Sequence, residues 1–201
     1  MRIEGVRIAA SGERPRLSAR IVWETARRAP EDAWFETDPA HADGLVARPE
    51  AFLPAFVLFA MERGERRIVV EGALCPTLLR GMAAAMRTWT AWYPSLVPLE
   101  IEAAGGLAPR TRPADAVTAT TLAGGVDSLF AIRANRLDLP LDHPHAVRDA
   151  FFVLGMNSND FAGPLPDPER ARNFETRLAR WGPLAAEAKV RVVPVASNVR
   201  T

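Results

Sequence analysis

From residue 117 to residue 195 the chain switches repeatedly between two hydrophobic periods. An apolar, β-branched run at 117–122, "VTATTL", gives way to a helical pattern from about 127 to 136. A second run at 150–155, "AFFVLG", precedes a long helical pattern at 168–188 and a third run, "VRVVPV", at 190–195. Strands separated by helices pair in parallel, because each helix carries the chain back to the starting edge of the sheet. The rhythm predicts an α/β layer, with residues of the long helix such as Phe174, Leu178, Trp181 and Ala185 recurring as one apolar stripe laid on the sheet. That helix is also well punctuated: Asp167 can cap it, Pro168 suits its first turn, and Glu169 suits the positive end of its dipole.

The residues before this unit have a different organisation. The stretch 103–116, "AAGGLAPRTRPADA", carries neither apolar period, which predicts a boundary between a unit at 1–104 and a second at 117–201. In the first unit, 6–10 and 19–24 read as strands that can pair as neighbours, 66–73 and 96–103 as further strands, and 48–64 as a helix. Pro49 suits the first turn of that helix and Gly64 the residue beyond its end, while Pro54 moves the start towards itself. From Pro76 to about Trp92 a longer helix carries Leu78, Leu79, Met82, Ala85, Met86 and Trp89 on one face, as packing surface. The expectation is an N-terminal α/β or α+β unit followed by a partial doubly wound parallel sheet. No internal repeat or low-complexity tract interrupts it.

Composition narrows the function classes. The 201 residues are 48% hydrophobic and 24% charged, with a formal net charge of +1, so no broad field gathers nucleic acid. Positive charge is nearly all arginine, with Lys189 the single lysine. One cysteine, Cys75, excludes an internal disulfide and a cysteine-rich zinc site, and reads as a small buried residue after a strand. Glu4 interrupts any leader-like apolar core, and the longest apolar run, 51–61, contains Pro54 and falls short of the roughly 20 residues needed to span a bilayer. The expectation is a cytoplasmic chain with no membrane partner.

Chemistry concentrates where the first parallel strand meets its helix, "LAGGVDS" at 122–128. Two glycines let the backbone turn tightly, and Asp127 or Ser128 can cap the helix that follows. Amides left unpaired at a helix start, together with the positive end of the dipole, hold phosphate without lysine. The stretch matches neither the G-x-x-x-x-G-K-[ST] loop nor the G-x-G-x-x-G fingerprint.

"AGGVDSLFAIRA" resembles the S-G-G-x-D-S pyrophosphate loop of the PP-loop ATP pyrophosphatase superfamily, nearest the 7-cyano-7-deazaguanine synthase-like branch. "AFFVLGMNSND" at 150–160 and "VRVVPVASNVRT" at 190–201 resemble that family's second and third strands with their following turns. The resemblance implies a Rossmann-like domain of PP-loop type that binds ATP with Mg²⁺. It implies an enzyme of ligase or synthase type, which splits ATP between the α and β phosphates and adenylates a carbonyl or carboxyl oxygen for attack by nitrogen or sulfur. Carried over residue by residue, Gly124, Gly125 and Val126 would offer amides to the phosphates and Ser128 a hydroxyl. Asp127 would cap the helix or hold Mg²⁺. Gly155 and Asn157 would lie near the adenine or ribose, and Asn198 and Arg200 would face an unidentified small-molecule substrate.

Two departures from that pattern matter. Ala123 stands where the family has its first serine, removing one hydrogen bond to a charged group worth about 1.5–3 kcal/mol. The sequence supplies three of the roughly five parallel strands of such a domain, so the strand flanking 117–122 on its other side is missing. The expectations are a piece of a longer protein, a site completed by a second copy or another chain, or a degenerate nucleotide-binding module that docks through an open sheet edge. "LDHPHAVRD" at 141–149, with His143, His145, Asp142 and Asp149, reads as a solvated connector before it reads as a metal site.

Overall fold

The computed structural model describes residues 1–11, 14–111, 113, 116–154 and 168–199. Within them the chain is mixed α/β and falls into two compact units, one built from the described residues of 1–35 and 43–111 with Val199, the other from 36–42 and the described residues of 113–198.

The first unit opens with β1 (Arg2–Ser11) and β2 (Arg14–Val22), paired antiparallel in a register running from Arg2 opposite Val22 to Ser11 opposite Arg14. The ladder shifts between Glu4 and Arg7, where Gly5 takes φ +62°, a left-handed conformation that glycine adopts without strain. β3 (Glu31–Thr37) follows beside β2, and β4 (Arg67–Val70) and β5 (Glu100–Ala103) extend the sheet in parallel beyond β1. Helix α1 (Leu53–Glu62) starts later than the sequence pattern suggests, because Pro49–Ala51 forms a separate 3-10 turn. Pro54 then stands in the first turn of α1, where its missing N–H removes no helical bond. Gly64 ends the helix with φ +69°, and the Glu65 amide reaches back to the Ala60 carbonyl at 2.9 Å. Helix α2 (Pro76–Trp92) turns Leu78, Leu79, Met82, Met86 and Trp89 onto a core built around Ile3, Ile21, Phe52, Val57, Ile68 and Val70.

The second unit carries β6 (Thr118–Thr121), α3 (Val126–Asp138), β7 (Val147–Val153), α4 (Pro168–Glu187) and β8 (Arg191–Ser197). All three strands run parallel, as the alternating rhythm predicts, and stand in the order β8-β7-β6. Leu122, Ile132, Ala150, Phe152, Phe174, Ala185 and Val190 form its core, with the Phe152 and Phe174 rings 5.0 Å apart. Two polar side chains at the end of α3 fasten that helix to the start of β7. Asn135 donates to the His145 carbonyl at 3.0 Å and accepts from the Val147 amide at 2.8 Å, while Arg136 donates to the carbonyls of Val147 and, at 2.7 Å, Ala188. Residues 36–42 also fold with this unit, where the buried Thr37 hydroxyl donates to the Pro194 carbonyl at 2.7 Å. β6 stands at the end of the strand order, so among the described residues its outer edge has no strand partner.

Candidate functional site

β6 delivers the chain to Ala123 at the carboxyl end of the parallel strands, the side on which α/β sheets present ligand contacts. Gly124 turns it with φ +80°, and Gly125, extended at φ −81°, is the residue that precedes α3. The sequence expectation that Asp127 or Ser128 caps this helix is corrected here. The cap position is Gly125, no side chain caps it, and Asp127 lies exposed inside the first turn. There its negative charge complements the positive end of the helix dipole. Ser128 turns back, its hydroxyl donating to the Gly125 carbonyl at 2.9 Å.

No side chain caps α3, and among the described residues its first amides remain open. The first amide of the turn that finds a backbone acceptor is that of Leu129, which donates to the Gly125 carbonyl at 3.3 Å. Among the described residues the amides of Gly124, Gly125, Val126, Asp127 and Ser128 have no acceptor. Gly125, Val126 and Asp127 are exposed, Val126 by 78%, so this row of donors meets solvent. Unpaired donors facing water at a helix start, with the dipole behind them, attract an anion.

The two glycines are not equivalent. A β-carbon at Gly125 would meet nothing within 4 Å. One at Gly124 would lie 2.5 Å from Cε2 and Nε1 of Trp181, whose ring from α4 backs the turn. The Arg180 guanidinium stacks over that same ring, 5.5 Å from its centre.

Asn198 follows directly on β8, half-buried, at the same carboxyl edge as the 123–128 loop, with β7 between them. Gly155, Asn157 and Arg200 lie outside the described residues, as does Asp167. His143 and His145 stand with their rings 5.5 Å apart, and the His143 Nδ1 accepts the His145 amide at 3.1 Å. Asp149 faces elsewhere, in a two-pronged pair with Arg191 at 2.9 and 2.8 Å. Among the described residues no three His, Cys, Asp or Glu side chains gather as a metal cluster. Nor is any described helix long and apolar enough to cross a membrane. A groove of about 470 Å³ lies between α3 and α4, lined by Leu129, Ile132, Arg133, Leu141 and Leu184. Its lining also includes Lys189, which precedes β8 at that strand's amino-terminal end.

Cys75 is the chemistry-bearing residue whose surroundings the sequence misjudges. It is half-buried at the cap position of α2, where the amides of Leu78, Arg110 and Thr77 hold its thiol below the ordinary value of 9.0. The signal was the Pro76 that follows it, which marks a helix start.

No family model, no curated protein and no solved structure matches the chain.

Proposed function

We propose that the second unit is a Rossmann-like, PP-loop-type nucleotide-binding domain that holds the phosphates of Mg²⁺–ATP. The observation carrying this reading is the run of amides from Gly124 to Ser128, between a parallel strand and a helix, that have no acceptor among the described residues. Gly124, Gly125 and Val126 donate to phosphate oxygens through the backbone, so Ala123 in place of serine weakens the site without removing it. Asp127, exposed beside those amides, is a single carboxylate. That donor set fits Mg²⁺, which keeps several waters and completes its shell with phosphate oxygens.

The chemistry is adenylation of a small carboxyl- or carbonyl-bearing substrate. Its oxygen attacks the α-phosphorus, the bond to the β-phosphate breaks, pyrophosphate leaves, and a nitrogen or sulfur nucleophile then displaces AMP. The chain contributes orientation and neutralisation of the departing charge by backbone amides. Asn198 stands on the substrate side.

The test is titration of pyrophosphate and Mg²⁺–ATP into the protein and its Gly125→Ala and Gly125→Asp variants. A β-carbon at Gly125 meets nothing within 4 Å, so both variants are expected to fold, which circular dichroism checks. The parent and Gly125→Ala bind, while Gly125→Asp, with a carboxylate among the amides, does not. A parent that binds neither ligand overturns the reading. Pyrophosphate release from ATP then separates an active enzyme from a binding module.

One observation favours the second reading, a non-catalytic module that docks through an open edge. Among the described residues the outer edge of β6 has no strand partner, and α3 exposes Val126, Phe130 and Leu137 by 78, 69 and 70% on a face other than the one packed in the core. The solution mass decides whether that surface is covered by a second copy.

A further inference from the structure

The Gly-Gly pair that lets the loop turn also gives it the freedom to collapse. Glycine has the widest backbone repertoire of any residue, and two in succession would let the loop amides fold back on the chain's own carbonyls. Among the described residues no such bond forms, and the contact that opposes it is specific. Gly124 is left-handed at φ +80°, and ring atoms Cε2, Nε1 and Cζ2 of Trp181 lie 2.5, 2.5 and 2.7 Å from where its β-carbon would stand. The turn is thus pressed flat against an aromatic surface. That surface is itself held, because Trp181 packs with the Leu122–Phe152 core and carries Arg180 on its ring.

We propose that Trp181 is a positioning residue for the phosphate loop. Its indole keeps Gly124 left-handed and so keeps the amides of Gly125 to Ser128 turned to solvent in the orientation an anion needs. The inference rests on the nucleotide reading above and adds to it a residue from α4, outside the loop motif. An indole preset against the turn spares the ligand the cost of ordering two glycines, which is where preorganised sites gain affinity.

The experiment compares the parent with Trp181→Phe and Trp181→Ala, reading pyrophosphate affinity by titration and the order parameters of the Gly124 and Gly125 amides by ¹⁵N relaxation without ligand. Trp181→Phe keeps an aromatic ring in the core and removes the fused edge that touches Gly124, so it folds as the parent does. The parent amides give order parameters near 0.85, as for rigid backbone, and the variants fall towards 0.6. Pyrophosphate binding weakens about tenfold in Trp181→Ala, equivalent to about 1.4 kcal/mol, and less in Trp181→Phe. Adding Gly124→Ala to Trp181→Ala costs less than adding it to the parent, because the ring it would strike is gone.

If Trp181→Phe leaves both the order parameters and the affinity at parent values, the positioning role is overturned. A parent that binds no pyrophosphate removes the nucleotide reading instead, and the order parameters alone then decide whether Trp181 holds the turn.

Discussion

The Met1 α-ammonium and the Glu65 carboxylate face each other at 2.7 Å with both side chains fully buried. Glu65 ties together three stretches of the first unit, since its oxygens also accept the amides of Glu24, Thr25 and Ala26. The ammonium in turn donates to the Arg67 carbonyl at 2.8 Å and lies 3.3 Å from Glu24. A buried ion pair contributes little net stability against an apolar replacement, but removing one member strands the other. Glu65→Gln is therefore expected to destabilise the first unit by about 3 kcal/mol at pH 7, read by urea unfolding.

The same carboxylate sets a pH dependence. Burial pushes Glu65 upward, but the amides of Ala26 and Thr25 and the Met1 ammonium outweigh it and leave the group below its ordinary 4.5. A carboxyl depressed in the folded state stabilises it fully above the unfolded value and loses that contribution as pH falls through the folded one. The gap between parent and Glu65→Gln should thus be constant from pH 7 to about 5.5 and narrow below 4.5. A gap that widens on acidification would contradict the assignment.

The two loop glycines should separate cleanly. Gly124→Ala meets both an unfavourable φ of +80° and the Trp181 ring, whereas Gly125→Ala meets open space at an ordinary φ of −81°. Left-handed strain alone costs on the order of 1 kcal/mol, and the ring contact adds to it. Thermal unfolding of the second unit should fall for Gly124→Ala and stay level or rise slightly for Gly125→Ala. Equal effects would place the left-handed turn elsewhere.

These contrasts mark what the sequence makes legible. Period alone places β6, α3, β7, α4 and β8 and their parallel direction, because an apolar run of five or six residues and a helical stripe of ten or more leave few alternatives. The presence of a sharp turn at Gly124–Gly125 is legible for the same reason. Which glycine turns left-handed is not, since that depends on Trp181 arriving from α4. The cap is misread because the helix begins one residue before the expected start, making Gly125 the cap and carrying Asp127 into the first turn. β3 escapes notice because "EDAWFET" has three acidic residues and fully buries only Ala33 and Thr37. The membership of residues 36–42 in the second unit rests on contacts such as that from Thr37 to Pro194, a separation no local pattern encodes.

Cys75 offers a prediction independent of the nucleotide reading. Amides of Leu78, Arg110 and Thr77 surround its sulfur and favour the thiolate, so its alkylation by iodoacetamide should show a midpoint below 9.0. Thr77 also assists through its side chain, and Thr77→Val should move that midpoint partway back. A rate profile superimposable on that of a free thiol would mean the α2 start does not act on the sulfur.

The exposed face of α3 decides between the two functional readings. Val126, Phe130 and Leu137 are spaced by four and seven residues and so form one stripe, while Leu129 and Ile132 turn into the core. Apolar side chains this exposed are unremarkable singly, but a stripe of three, in a unit whose β6 edge has no strand partner among the described residues, is a surface that association would bury. If a second copy covers it, light scattering should give a dimer mass that Phe130→Glu converts to a monomer, with the unfolding midpoint of the isolated protomer little changed. The substitution also leaves the amides of Gly124 to Ser128 untouched. Retained pyrophosphate binding in a monomeric Phe130→Glu variant would place the nucleotide site within one chain, whereas loss of binding together with dimerisation would mean that the second copy completes it.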